Sequence, residues 1–467
     1  MNGAPHIAIV GGGITGLAAA RQLTRMRIGG EFPRLTVIEA EHRLGGKIRS
    51  QGFAGTTVDL GPEALLTAVP AAVRLCHDLG LEDELVAPLQ SRTAVWTRGQ
   101  LRELPPGILG GLPDGIGPIV RSGILSPIGA ARAGIDLMLP AGGRGDADES
   151  VGSLVRRRLG SEALERMIDP LLGGIYGGDS DRLSLRATAP RLDALAREHR
   201  SLIRGLMAAG RSTPVASAGP AFMTLPGGLQ RLVTGLQREL GRTELISGEH
   251  VRRVTSQADG RYALRTDTGR ELVVDAAILA VPAYAAQEML GQSAPAAAAE
   301  LAGIEYTSVA IVWLAFRAAA VPRLPDRSGF LVPRGEGRTL SACTWASSKW
   351  PHLATRPDRV LLRCSVGRGR PEAIGLDQHT LVTDVTADLR AAIGVREPPA
   401  EWHVARWERA MPQYHVGHLE RVQRLELALG HLPRIRLAGA AYHGMGVPQC
   451  IAQGEQAATQ IATALRP

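Results

Sequence analysis

The sequence predicts an α/β fold: a Rossmann-type unit built from discontinuous segments, with a mixed-sheet domain and a helical insertion. Three observations carry this. First, the apolar strand His6–Val10 runs into Gly11-Gly12-Gly13-Ile14-Thr15-Gly16 and then an Ala/Leu-rich helix, the order of a dinucleotide-binding turn. Second, a related pattern closes the chain: Leu437-Ala438-Gly439, then Gly444-Met445-Gly446-Val447-Pro448, then a helical stretch from Cys450 to Leu465. Third, strand and helix patterns alternate in blocks between these ends, with no internal repeat.

Taken in order, Leu17, Ala18, Ala20 and Leu23 give the first helix an apolar face of small residues that suits close packing on a sheet. The glycine turn lets backbone amides approach a pyrophosphate, and the helix N-terminus adds partial positive charge. The next strand, Leu35–Glu39, is followed by Ala40. Glu39 stands roughly 20 residues past the turn, where the ribose-binding acid of such a unit belongs. Arg43-Leu44-Gly45-Gly46-Lys47 is a glycine doublet between cations, expected as a second loop over the pyrophosphate. Asp59-Leu60-Gly61-Pro62-Glu63 is a tight turn ahead of an amphipathic segment, Leu65 to Leu79.

Residues 101–215 change character. Leu104-Pro105-Pro106-Gly107 and Gly111-Leu112-Pro113 are breakers, and the stretch Ala141–Asp148 reads as a loop. Around them lie helical patterns at Ile128–Leu139, Val151–Leu159, Ala163–Leu172 and Ala187–Met207. Strand patterns return after Leu225-Pro226-Gly227-Gly228. Val251 and Val254 flank two arginines, Tyr262–Arg265 and Glu271–Val274 form a hairpin, and Asp275–Pro282 is a buried-type strand. Val309–Leu314 and Val360–Cys364 belong to a second sheet, and Ile435–Ala440 is the last strand.

A chain of 467 residues, 45% hydrophobic and 21% charged, fits two or three globular domains. Of 53 basic residues only Lys47 and Lys349 are lysines, leaving 51 arginines. GC-rich coding accounts for that bias; arginines set against carboxylates are the functional alternative. Aromatics at 4% and the lack of an aromatic-interleaved basic run argue against nucleic acid. Cys76, Cys343, Cys364 and Cys450 show no C-x-x-C spacing, so no metal site or disulfide framework is expected. The first strand begins at once, leaving no room for a signal peptide, and no apolar run is long enough to cross a membrane. The expectation is a cytoplasmic protein, with peripheral contact to the inner face of the membrane left open.

Which dinucleotide follows from the two glycine patterns together. A nicotinamide dehydrogenase has no need of a dinucleotide signature at the far C-terminus, and an NADPH-fed reductase would need a second complete G-x-G-x-x-G. FAD is long enough for its adenosine to sit on the first unit while its ring reaches the C-terminal helix, whose amide dipole would stabilise an anionic reduced flavin. The expected cofactor is FAD, with residues 1–85, 211–295 and 401–467 forming its domain. Residues 86–210 form the helical insertion lining a substrate cavity, and 296–400 the substrate-binding sheet.

Three internal stretches are more specific. Ile168-Asp169-Pro170-Leu171-Leu172-Gly173-Gly174-Ile175-Tyr176-Gly177-Gly178-Asp179, with Leu183-Ser184-Leu185, resembles the "PLLxGIYAGD…LS" signature of the FAD-dependent porphyrinogen oxidases. These are the protoporphyrinogen/coproporphyrinogen III oxidase group of the amine-oxidase-like flavoproteins. Trp407–Tyr414 with Val416-Gly417-His418 is similar to their "W…AMPQY…GH", and Gly439–Ile451 to their closing flavin segment. One departure is Gly177, where the family often has Ala. The resemblance implies that Gly11, Gly12, Gly13, Ile14, Thr15, Gly16, Glu39 and Ala40 hold pyrophosphate and ribose. It implies that Arg43, Gly45, Gly46 and Lys47 cover the phosphates, that Gly61, Pro62, Glu63 and Ala64 lie along the flavin, and that Val251 meets the adenine. Trp407, Gly439, Gly446, Val447 and Pro448 fall to the isoalloxazine side. Gly174, Ile175 and Tyr176 border the substrate cavity, and His443 is a candidate for handling substrate or protons. Tyr176, Tyr414 and Trp407 also read as packing aromatics, and Cys450 as a small buried residue rather than a flavin anchor.

The implied reaction is a six-electron oxidation of a porphyrinogen, each cycle passing a hydride to flavin and then electrons to O2, with H2O2 released. The protein's work is positioning and exclusion of water. The arginine excess favours coproporphyrinogen III, with four propionates, over protoporphyrinogen IX. Arg92, Arg98 and Arg102 are candidate propionate partners. The rival readings are a flavin amine oxidase, a carotenoid desaturase and a non-catalytic flavin-holding haem-trafficking module. Oligomeric state and handover to a ferrochelatase stay open.

Overall fold

A computed structural model describes residues 4–105, 116–140, 147–212 and 219–466. The breakers at Pro106-Gly107 and Gly111-Leu112-Pro113, and residues 141–146 of the expected loop, lie outside the described residues.

The nucleotide-binding unit is a five-stranded parallel sheet drawn from both chain ends and the middle. Its order is Ile435–Leu437, Ala276–Leu279, His6–Val10, Arg34–Glu39, Glu244–Ser247. Ile7, Ala8, Ile9, Ala276, Ala277, Ile278 and Leu279 are fully buried, as a sheet covered on both faces requires. A three-stranded antiparallel sheet, Val251–Ser256, Tyr262–Thr266 and Glu271–Val274, packs with it.

The helices Ile14–Thr24 and Val447–Ala464 cross on the other face. Their approach is close enough that a Cβ on Gly454 would lie 2.2 Å from the Thr15 carbonyl oxygen. The C-terminal helix begins at Val447 rather than Cys450, with Pro448 in its first turn, where a missing N–H costs nothing.

The second sheet has seven strands, ordered Glu401–Pro412, Tyr306–Arg317, Arg359–Val366, Leu340–Trp345, Gly329–Leu331, Thr93–Thr97, Gln100–Glu103. It is mixed: Gly329–Leu331 and Thr93–Thr97 pair in parallel and the other neighbours antiparallel. This corrects two expected boundaries. Residues 93–103 belong to this sheet rather than to the helical insertion, because Ala94, Val95 and Trp96 are buried against it and its helical cover. Residues 401–412 also belong to it, through a long ladder with Tyr306–Arg317, rather than to the nucleotide-binding unit.

The helical insertion packs around its own core, including Leu154, Val155, Met167, Ile168, Leu185 and Leu206. The expected single run from Ala187 is three helices, Leu185–Thr188, Pro190–Glu198 and Leu202–Ser212. Pro190 forces Ala189 out of helical geometry and starts a new helix. Around Pro170 the chain widens into a π-helical turn, Leu164–Ile168, before Asp169–Tyr176, since a proline leaves one helical carbonyl without its donor. The segment from Leu65 splits likewise: Leu65–Leu66 pair with Phe222–Met223, and the helix runs Ala71–Asp78 after Pro70.

Substituting Gly454→Val should lower the unfolding free energy by about 1–3 kcal/mol, the usual result of overpacking. Urea denaturation of the purified flavoprotein measures it, and an unchanged midpoint would contradict the tight helix crossing.

Candidate active site

The first glycine turn is built by close approach. A Cβ on Gly11 would lie 2.4 Å from the Ala280 carbonyl oxygen, and one on Gly16 1.9 Å from that of Gly11. Gly13 faces open space instead. It caps the helix of Ile14 and Thr15, which has no side-chain cap and no acid in its first turn. Gly45 donates its N–H to the Gly12 carbonyl at 2.8 Å, bringing the second glycine loop onto the first. Arg43 shapes that loop rather than reaching outward: its guanidinium donates to the Gly46 and Ile48 carbonyls at 2.6 and 3.3 Å. Glu39 accepts from the Gly12 amide at 2.7 Å and the Glu41 amide at 2.9 Å, just past Ala40. The Glu249 amide donates to the Glu39 carbonyl at 3.2 Å. That places the strand starting at buried Val251 beside the same end of the sheet.

Lys47 has no carboxylate partner among the described residues, and burial pushes its ammonium below the ordinary value. It faces Cys450, whose thiol interacts with Thr15 and is pushed up to about 11 by burial. A half-buried cation without a carboxylate, beside two helix starts, fits a bound anion. The C-terminal turn is fixed by Gln453, which the glycine spacing did not single out. Its side chain accepts from the Gly439 amide at 3.3 Å and donates to the Gly444 carbonyl at 2.9 Å. Gly446 caps the helix of Val447 and Pro448 without a side-chain bond. Gln453 is one of four glutamines in its helix, with Gln449, Gln456 and Gln460, so the sequence offered no signal that singled it out. These cradles fit a flavin dinucleotide.

The stretch from Asp59 to Ala64 is held by its main chain. The Trp313 indole donates to the Asp59 carbonyl at 3.0 Å and the Trp407 indole to that of Leu60 at 2.8 Å. Arg363 donates to the Gly61 carbonyl and Thr224 to that of Glu63, both at 2.7 Å. The Glu63 carboxylate turns away from this surface to Lys349 Nζ at 2.6 Å and Arg363 Nε at 3.4 Å. Burial raises its pKa, but the two cations overcome that and hold the group at about 2. Asp59 is also buried. It accepts from Ser50 Oγ at 2.5 Å and from the Leu229 amide, and burial pushes its carboxyl up to about 6.

The three signature stretches form one cluster. Gln413 donates to the Tyr176 carbonyl at 2.9 Å, and the Ser184 amide to the Tyr414 carbonyl at 2.7 Å. The Tyr414 hydroxyl donates to the Ala440 carbonyl at 2.7 Å and accepts from the Gly444 amide at 2.9 Å. His418 stacks on Tyr414 at 3.9 Å and bonds the Tyr442 carbonyl at 2.9 Å. Burial holds His418 down at about 4, so its neutral ring donates there. Gly177 adopts φ +63° at the end of helix Asp169–Tyr176, a left-handed position that favours the glycine found here.

Gly174 and Ile175 are exposed near Leu331, with Tyr176 half-buried and bonded to the Thr188 carbonyl. The other substrate candidates have partners of their own. His443 points to Glu426 at 2.9 Å in a half-exposed pair. Arg92 pairs with Glu103, and Arg98 with Glu162 and the Gly123 and Ile124 carbonyls. Arg102 bonds Gln100. Sequence spacing did not reveal these local partners.

Residues 14–462 match the family described as flavin containing amine oxidoreductase. The chain belongs to that family, and its cofactor is FAD. Within it, the chain is 37% identical to the coproporphyrinogen III oxidase of Bacillus subtilis (strain 168), covering 99% of both. It is 32% identical to the protoporphyrinogen oxidase of Bos taurus, covering 97% of this chain and 98% of that one. A crystal structure from Exiguobacterium sp. 255-15, provisionally named a protoporphyrinogen oxidase, superposes with a TM-score of 0.86 at 30% identity, covering 99% of each chain.

Because its folded pKa is raised, Asp59 contributes most stability below its ordinary pKa of 3.8 and loses it as pH rises through about 6. The wild-type stability minus that of Asp59→Asn should therefore fall by about 2 kcal/mol between pH 4 and 7, each tenfold change in proton affinity being worth about 1.4 kcal/mol. Denaturation series at both pH values measure it; a flat difference would contradict the burial.

Proposed function

We propose that the protein oxidises coproporphyrinogen III to coproporphyrin III, using O2 as electron acceptor and releasing H2O2. The observation that carries this reading is the whole-length similarity to coproporphyrinogen III oxidases. It is supported by the hydrogen-bonded cluster of Tyr176, Gln413, Tyr414 and Gly444. Bound FAD supplies the two-electron chemistry of each cycle. The chain's residues do the placing. Trp313, Trp407 and Arg363 fix the Asp59–Glu63 main chain, and Gln413 holds Tyr176 at the end of the helix carrying Gly174 and Ile175. Burial raises the phenols of Tyr176, Tyr414 and Tyr442 and lowers the His418 imidazole, so none of the four is charged near neutral pH. Proton loss then falls to the substrate's own pyrrole nitrogens.

Protoporphyrinogen IX is the second reading, favoured by the bovine relative. Among the described residues no helix is long and apolar enough to cross a membrane. Exposed Val120, Ile128, Ile135 and Met138 on the helical insertion support peripheral contact with the inner membrane face.

Anaerobic mixing with coproporphyrinogen III should bleach the visible flavin band, and O2 should restore it as porphyrin fluorescence appears. Absence of bleaching ends the proposal. In side-by-side kinetics the tetracarboxylate should lead in kcat/KM by roughly 10-fold or more; an equal or reversed preference selects the second reading.

A further inference from the structure

Strand Glu401–Pro412 connects the two halves of the site. Trp407 holds the Leu60 carbonyl, while Met411 lies beside Gly177 and Gln413 bonds Tyr176. Between these contacts the ladder breaks. Val309 pairs with Trp407 and Thr307 with Met411, so Glu408, Arg409 and Ala410 face Ser308 alone. Arg409 sits at the centre of this bulge with φ +44°, a region a β-substituted residue seldom occupies. Its amide is fixed by Ser308 Oγ at 3.0 Å. Such a backbone outlier between two functional surfaces calls for a functional account.

The side chain supplies one. The Arg409 guanidinium lies over the Tyr284 ring at 3.9 Å. Tyr284 is braced edge-on by Tyr306 at 5.2 Å, whose hydroxyl accepts from the Ala283 amide at 2.8 Å. Arg409 is exposed and makes no ion pair with a carboxylate among the described residues. Arg92 and Arg98, in contrast, have acidic partners of their own. A guanidinium stacked by its face keeps its edge N–H groups free, and that edge matches a carboxylate in two parallel bonds.

We propose that Arg409, presented by the bulge and braced on Tyr284, binds a propionate carboxylate of the porphyrinogen and so helps set substrate preference. This rests on the functional reading above. The bulge turns the cation out of the ladder, between the Trp407 end and the Tyr176 end of the strand.

The test compares wild-type, Arg409→Gln and Arg409→Lys holoenzymes on coproporphyrinogen III and on its tetramethyl ester. Arg409→Gln should raise KM for the free acid about 10-fold with kcat within about 2-fold, the loss expected for a charge-assisted hydrogen-bonded pair. Arg409→Lys should recover part of it, the ester should show no difference between the proteins, and FAD content should be unchanged. An unchanged KM for the acid, an equal rise for the ester, or loss of FAD from Arg409→Gln overturns the assignment. Equilibrium binding of coproporphyrin III, read by fluorescence quenching, separates the two levels. A wild type that oxidises no porphyrinogen defeats the functional reading, whereas equal product affinity in wild type and Arg409→Gln defeats the carboxylate clamp whether or not turnover occurs.

Discussion

The main chain from Asp59 to Glu63 is the joint on which the site depends. Trp313, Trp407 and Arg363 come from three adjacent strands of the seven-stranded sheet, and each ends on a successive carbonyl of this segment. A single such bond is worth about 1 kcal/mol net, but a buried carbonyl deprived of its donor costs about 1–3 kcal/mol. Three in register make sliding of the sheet against the segment costly. On its far side Asp59 bonds Ser50 and the Leu229 amide at the start of a helix in the nucleotide-binding unit. The seven-stranded sheet and the nucleotide-binding unit thus share one rigid element, which a reaction governed by positioning requires.

The second joint is Tyr414. Its neighbour Gln413 bonds Tyr176, its own carbonyl accepts from Ser184, and its hydroxyl bridges Ala440 and Gly444. Three stretches far apart in sequence are therefore one structural unit. Their joint occurrence has a mechanical cause. The glutamine, the tyrosine and the glycine turn each fill a hydrogen-bonding vacancy left by another, and a buried vacancy is what a folded chain avoids.

What could be read in the sequence was whatever repeats with a local period or turns on a glycine. The strand–turn–helix at His6–Thr24, the final helix and the hairpin at Tyr262–Val274 all carry that signal. Strand pairing over long separations carries none. Thr93–Thr97 finds Gly329–Leu331 across the chain, and nothing in either segment names the other. Arginine roles were hidden for a similar reason. A guanidinium is long enough to reach partners distant in sequence, as Arg98 reaches Glu162, so Arg92 and Arg98 read as free cations until the fold supplied their acceptors, while Arg102 bonds Gln100 two residues away. Gln453 escaped because its helix holds three other glutamines, and only the fold shows that this one is buried and bonded to the glycine turn.

The excess of arginine over lysine then acquires a structural use beyond base composition. Arg43, Arg132 and Arg406 place their guanidinium groups on main-chain carbonyls in loops and at helix ends. Arg334 and Arg368 converge on buried Asp169, which also accepts from Ser180, at the start of the helix that carries Gly174 and Tyr176. Removing one member of such a group strands a charge in a poorly solvating interior, so the cluster holds position even where its net stabilisation is small. Lysine, with three donors on one compact ammonium, lacks the planar fork that spans separated carbonyls in fixed geometry. The two lysines are instead point charges in half-buried settings. Lys349 offsets Glu63 behind the Asp59–Glu63 segment, and Lys47 stands without a carboxylate partner among the described residues, beside the starts of the helices Ile14–Thr24 and Val447–Ala464. Forked contacts to carbonyls and carboxylates are thus made by arginine, and the two lysines serve as compact charges.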